Sequence, residues 1–421
     1  MQDTFEHGFK EHLQGLYQQA TPRQRAWEHF VNKGLPSKQH PSYRFVRLRD
    51  LYESRYCLGK TPVAEISAET HTYPECQNAK VVFVNGIFQE NLSTLAGLPK
   101  GIVLLPLSKA QKQFAPFFNH KLVKELQEEK DAFALLNGSL WNEGAFLYIP
   151  PKLKCESPIQ IVHLTDEKLP LALLTPRLYV FVGQEASLNL YSTMVSREVF
   201  WNNSFIDFTI DERGHLSYFP VVSLPENAWY FEALRATLKK HSRFETIGAT
   251  NGAKTHHQDF SIAFKGEEGD ARVYQAWTLE QKRQAHFNVL MDHQEPHCHS
   301  LQKFKGILAD LGRSSFDGKI YVHPKAQKTQ AYQMNNHLLL SEHATAISQP
   351  NLEILADDVK ASHGSTVGQL QQEELFYLKS RGLTEESARK LLIQGFSREI
   401  LDQIPLPSAR DLASNIAQIS S

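Results

Sequence analysis

Between residues 141 and 370 the chain is a succession of short β-rich runs. Among them are PIQIVHL, RLYVFV, SLNLYSTMV, SFIDFTI, HLSYFPVVSL and ARVYQAWTL, separated by Gly, Asn and acidic turns. Branched and aromatic residues in runs of this length, bounded by turn formers, are strand signals. Strands dominate this half. A loose unit recurs, in which an apolar strand, a glycine turn and a second strand follow one another: FVGQEASLNL, DERGHLSYF and GEEGDARVYQ. Its spacing is too irregular to define a sequence repeat. The residues alone therefore leave a β-sandwich and a β-helix both open.

The flanks read differently. Phe5, Phe9, Leu13 and Leu16 recur at helical spacing, and Ala26, Trp27, Phe30 and Val31 form a second apolar stripe after Thr21-Pro22. Residues 60 to 140 are mixed: strand-like VVFVNGIFQE and GIVLLPLS bracket the turn-rich NLSTLAGLPKG, and a helical stretch follows through Lys121 to Lys130. After Gly368 helix returns. Leu375, Phe376 and Leu378 form one apolar cluster; Thr384, followed by Glu385 and Glu386, opens a helix with Ala388, Leu391, Leu392 and Phe396 along one face. Pro405 and Pro407 are expected to end the helical region. At 421 residues the chain exceeds what one core usually fills. The expected division is an N-terminal helical and mixed region (1–140), a β core (141–370) and a C-terminal helical region (371–421).

A formal charge of −1, with 41% apolar and 22% charged residues, carries no electrostatic footprint for nucleic acid. The longest apolar runs, such as Ile102 to Leu107, are too short to span a bilayer, and MQDTFEHGFKEHLQGLYQQ holds no apolar signal core. A cytoplasmic protein is expected. Cys57, Cys76, Cys155 and Cys298 are scattered, without a CxxC pair, and read as free thiols. SRYCLGKT at 54–61 ends like a phosphate loop, but Ser54 stands where its first glycine belongs. Any ATP-driven step is therefore expected to come from a partner. There is no G-x-S-x-G elbow and no H-E-x-x-H pair.

The segment from Pro350 to Leu383, PNLEILADDVKASHGSTVGQLQQEELFYLKSRGL, joins a histidine-bearing, strand-like stretch to an amphipathic helix. With DHQEPHCHS and GKIYVHPKAQKTQAYQMNNHLLLS it resembles the SufB/SufD family of SUF-system iron–sulfur cluster assembly proteins, from about Met291 to Phe396. The run Asp357-Asp358-Val359-Lys360 before Ser362-His363-Gly364 favours the SufD branch. The resemblance implies a mainly β protein: a right-handed parallel β-helix flanked by N-terminal and C-terminal helical regions. It implies a non-catalytic scaffold that pairs with a SufB-like subunit through its C-terminal coils. An ABC-type, SufC-like ATPase would dock on the C-terminal helices, with Leu375, Phe376, Leu378, Leu391, Leu392 and Phe396 as candidate contacts. No tightly bound cofactor is implied, only transient iron or an iron–sulfur cluster shared with the partner, and His363 is the candidate ligand.

On an extended strand Ala361 and His363 share one side. Many family members carry cysteine where this chain has Ala361, and the exchange removes a thiolate, the softer iron ligand. His293, His297, Cys298 and His299 have the residue types of a metal site, but on a strand His297 and His299 oppose Cys298 unless Pro296 bends the chain. The His256-His257 pair is a weaker candidate still. Two rival functions keep the same residues: a homodimeric metal-binding and delivery protein, and a β-helical carbohydrate-active enzyme.

Overall fold

The computed structural model describes residues 22–37, 39–54, 56–59, 67–165 and 171–419. The stripe of Phe5, Phe9, Leu13 and Leu16 lies outside them. Among the described residues the strands form an 11-stranded and a 10-stranded sheet, and from Lys154 onward successive long strands alternate between the two. One sheet runs through Arg177–Val182, Trp201–Ile210, Trp229–Leu238, Thr255–Phe264, Gln284–His293 and Arg313–Val322 to Thr345–Ile354. The other runs through Ser187–Val195, His215–Ser223, Arg243–Thr250, Asp270–Leu279, His299–Leu308 and Gln330–Leu339 to Lys360–Gly368. Each pairs in parallel with the strand one turn later, as in Trp201↔Trp229 and Gln333↔His363. The result is a parallel β-helix, not a sandwich.

Alternation decides what lies inside each coil. Leu234, Ala236 and Leu238 enter the common core with Phe287, Phe304 and Phe316, whereas Trp229, Phe231 and Ala233 face outward beneath other elements. One corner of the coil is made by residues in the left-handed conformation: Glu185, Arg213, His241, Glu268, His297 and Lys328, at intervals of 28, 28, 27, 29 and 31. Each stands two residues before a strand of the second sheet and donates its backbone N–H to the next coil, as Arg213 does to Lys240 O (2.9 Å) and His297 to Gln327 O (2.9 Å). That conformation costs a non-glycine residue about 1–2 kcal/mol. The coil-to-coil hydrogen bond offsets it.

The N-terminal end is closed. Val103–Pro106 runs antiparallel to Ala145–Ile149, Ile87–Phe88 folds back on Lys80–Val84, and Leu95, Leu98 and Ile102 pack on the core. Helices Pro22–Lys33, Ala115–Glu128 and Ala132–Leu140 belong to the same region. The Asn137 amide there donates to Pro176 O and Asn203 O (3.1 and 2.7 Å), tying the last helix to the first sheet. Asp131 caps that helix by accepting the Ala134 N–H (2.8 Å), and it accepts the Tyr43 hydroxyl as well. At the other end Thr384 caps Glu385–Leu401 through the Ser387 N–H (3.2 Å), as the sequence indicates.

Pro407 does not stop the helical region. It starts one more helix, Pro407–Ile416, because proline at the first position of a helix loses no hydrogen bond. Ala409 and Ala413 of that helix pack with Val221, Ile247 and Ala249 on the outer face of the second sheet.

Candidate functional site

The C-terminal end of the β-helix is open. Thr345–Ile354 and Lys360–Gly368 are the last strands of their sheets, each paired on one side only, and neither contains a buried residue. Ala361 stands over the buried Ala331 and packs on the core, so positions 361, 363 and 365 take the interior side. That agrees with the period-two reading from the sequence. Among the described residues no coil lies above it, so the interior side is exposed here, and His363 is an exposed residue in register with the buried Gln333. On the outward side Tyr332 and Met334 are 39% and 40% exposed, large values for apolar groups on a sheet.

The strand leads directly into two helices, Gln372–Ser380 and Glu385–Leu401, which pack on each other. The second crosses Asp270–Leu279 and His299–Leu308. It is fastened by Glu399, whose carboxylate meets the ammonium groups of both Lys303 and Lys305; hydrogen bonds from the two lysines hold Glu399 below the usual carboxylate range. Lys305 also donates to Phe396 O (3.0 Å) and lies 4.6 Å from the Phe396 ring centre, a cation–π contact. An open groove of about 540 Å³ separates this helix from the last coil, lined among others by Lys303, Tyr332, Met334, Ser362, His363 and Phe396.

The structure sorts the six candidate docking residues. Phe376 is 74% exposed and Leu391 45%, with Tyr377 beside them at 57%. Leu378, Leu392 and Phe396 are half-buried. Leu375 is only 4% exposed and packs within the chain, because one step along a short helix turns a side chain from the outer face to the inner one. Tyr377 and the Lys303–Glu399–Lys305 fastening escaped sequence reading; the lysines and Glu399 are about 95 residues apart, and nothing local links them.

Of the other histidine candidates, His293, His256 and His257 are buried in packed surroundings. His293 is buried, stacks on Phe264 at 4.2 Å and is paired with Ser300 (2.9 Å); burial pushes it down to about 3. Cys298 is buried, its thiol pushed up to about 11 mainly by burial, while His297 and His299 are exposed at the turn and the strand start. His256 stacks on Tyr230 and His257 on Tyr43. Among the described residues no three His, Cys, Asp or Glu side chains converge on a common point for a metal. No helix there is long and apolar enough to cross a membrane.

Comparison with known proteins decides the family. Residues 163–396 match the SUF system FeS cluster assembly, SufBD core domain, and residues 6–161 match the SufBD protein N-terminal region. The chain belongs to the SufBD family. It is 30% identical over 403 residues to an iron-sulfur cluster assembly SufBD family protein of Synechocystis sp., covering 92% of this chain and 87% of that one. It is 23% identical to the iron-sulfur cluster assembly protein SufD of Escherichia coli (90% and 88% covered) and 24% to SufB of Bacillus subtilis (74% and 68%). Identity alone does not separate the two branches; coverage is fuller for SufD.

Proposed function

We propose that this SufBD chain is a SufD-type, non-catalytic scaffold subunit that pairs with a SufB-like subunit and docks a SufC-like ATPase. The observation that carries the reading is the open terminal coil: an unpaired strand edge bearing His363, followed at once by helices with exposed Phe376, Tyr377 and Leu391. Unpaired edges are hazards that proteins usually blunt, and a partner strand removes the hazard. Iron or a nascent cluster is the cargo. This chain offers it the His363 imidazole, and the partner supplies the thiolates, since Ala361 has none to give. The ATPase performs the nucleotide chemistry. Its closure strains the paired β-helices and opens the junction at His363, provided the closed and open states bind it with different affinity. The proposed address is the cytoplasm, although one relative, from Arabidopsis thaliana, is described as chloroplastic.

Pull-down of the tagged chain from its native extract tests the reading. An ATPase and a SufB-like chain should come down together. Recovery of a second copy alone would favour the homodimeric delivery protein, and turnover of a polysaccharide by the isolated chain would favour the carbohydrate-active enzyme.

A further inference from the structure

One interior column of the β-helix carries amides at its last two buried positions before the open end. Read coil by coil through the register it holds Val273, Gln302, Gln333 and His363. Val273 is apolar, whereas Gln302 and Gln333 bring two amides to positions 0% and 2% exposed. Burying an amide without partners costs about 1–3 kcal/mol, so a polar column inside a coil calls for partners. Gln302 Nε2 donates to Gln333 Oε1 (3.2 Å), and Gln333 Nε2 donates to Gly318 O (3.4 Å) across the coil. Those two contacts fix which end of the Gln333 amide is oxygen. An amide oxygen has two lone pairs, and Gln302 occupies one. His363 is the next residue in the column, on the same face and one strand spacing away, about 4.8 Å.

We infer that Gln333 is a positioning residue for His363: its Oε1 accepts the hydrogen of one imidazole nitrogen and leaves the lone pair of the other free for iron at the open end. The inference rests on the reading of His363 as an iron ligand. Metal-binding histidines are commonly oriented through a hydrogen bond from their second nitrogen, and losing that partner costs about 10–100-fold in metal affinity.

The test uses the full chain labelled with ¹⁵N-histidine at about pH 8.5, where imidazole is neutral, with His363→Ala identifying the signal. His363 should show two widely split nitrogen shifts, a single tautomer. Gln333→Met, of similar length with only a weak sulfur acceptor in place of the amide oxygen, should collapse them toward the average, and Gln333→Glu, which keeps an oxygen acceptor, should retain the split. In the complex with the partner, Gln333→Met should weaken Co²⁺ binding by about tenfold or more. Averaged shifts in the unaltered chain overturn the inference even if a variant fails to fold, and leave His363 as a ligand intact. Unchanged cluster formation by His363→Ala sinks the reading of the site whatever the tautomer.

Discussion

The two ends of the β-helix are built on opposite principles. Near the start, every residue of Trp201–Ile210 is buried, the outward ones beneath the N-terminal helices and the inward ones in the coil. At the finish, Lys360–Gly368 has the same strand conformation and no buried residue at all. A solenoid has to cap its ends to stay soluble. Among the described residues this chain supplies its own cap at one end and leaves the other uncovered, and that is where the exposed histidine and the apolar helix faces lie.

Substitutions can break this contrast. Trp201→Ala removes a fully buried indole packed against Phe133 and Phe231, and should cost about 3–5 kcal/mol in urea unfolding. Ser362→Ala on the open strand should change stability by less than about 0.5 kcal/mol. Equal losses would mean that the open end contributes as much to the stability of the fold as the closed one.

A pH scan separates the ends next. Asp131 lies in the closed end, where burial, Asp259 and Glu129 raise its carboxyl to about 7, against the pull of Tyr43 and Arg235. Its folded pKa is above the ordinary 3.8, so folding favours the protonated form. The contribution is complete below about pH 4 and is lost as pH rises towards 7. Thermal unfolding followed at a tryptophan of this region should show that slope, and Asp131→Asn should flatten it.

Smaller effects belong to the open end. Phe376→Asp with Leu391→Asp should leave unfolding within about 0.5 kcal/mol, because both side chains already face solvent. Co-purification with the ATPase should be lost. Glu399→Gln weakens a partly exposed fastening and should cost about 1 kcal/mol or less. Its signature is faster amide exchange in Glu385–Leu401 with no change in the β-helix.

Much of this contrast is legible in the sequence. The helix through Ala26, Trp27 and Phe30, the cap at Thr384 and the shared face of Ala361 and His363 all follow from periodicity. The choice between sandwich and β-helix does not, because the corner residues are Glu, Arg, His and Lys in place of glycine, and their interval drifts from 27 to 31. Pro407 misleads because proline both ends and begins helices. Leu375 and Phe376 are adjacent apolar residues that only the packing of a short helix tells apart. The fastening by Lys303, Lys305 and Glu399 depends on how the last helices fold back, which no local pattern encodes.

The most direct measurement of the central claim is cluster formation by the assembled complex carrying His363→Ala. If the open end presents His363 to iron, the complex keeps its mass and composition while its cluster yield falls well below that of the unaltered complex. An undiminished yield from an intact complex would contradict it.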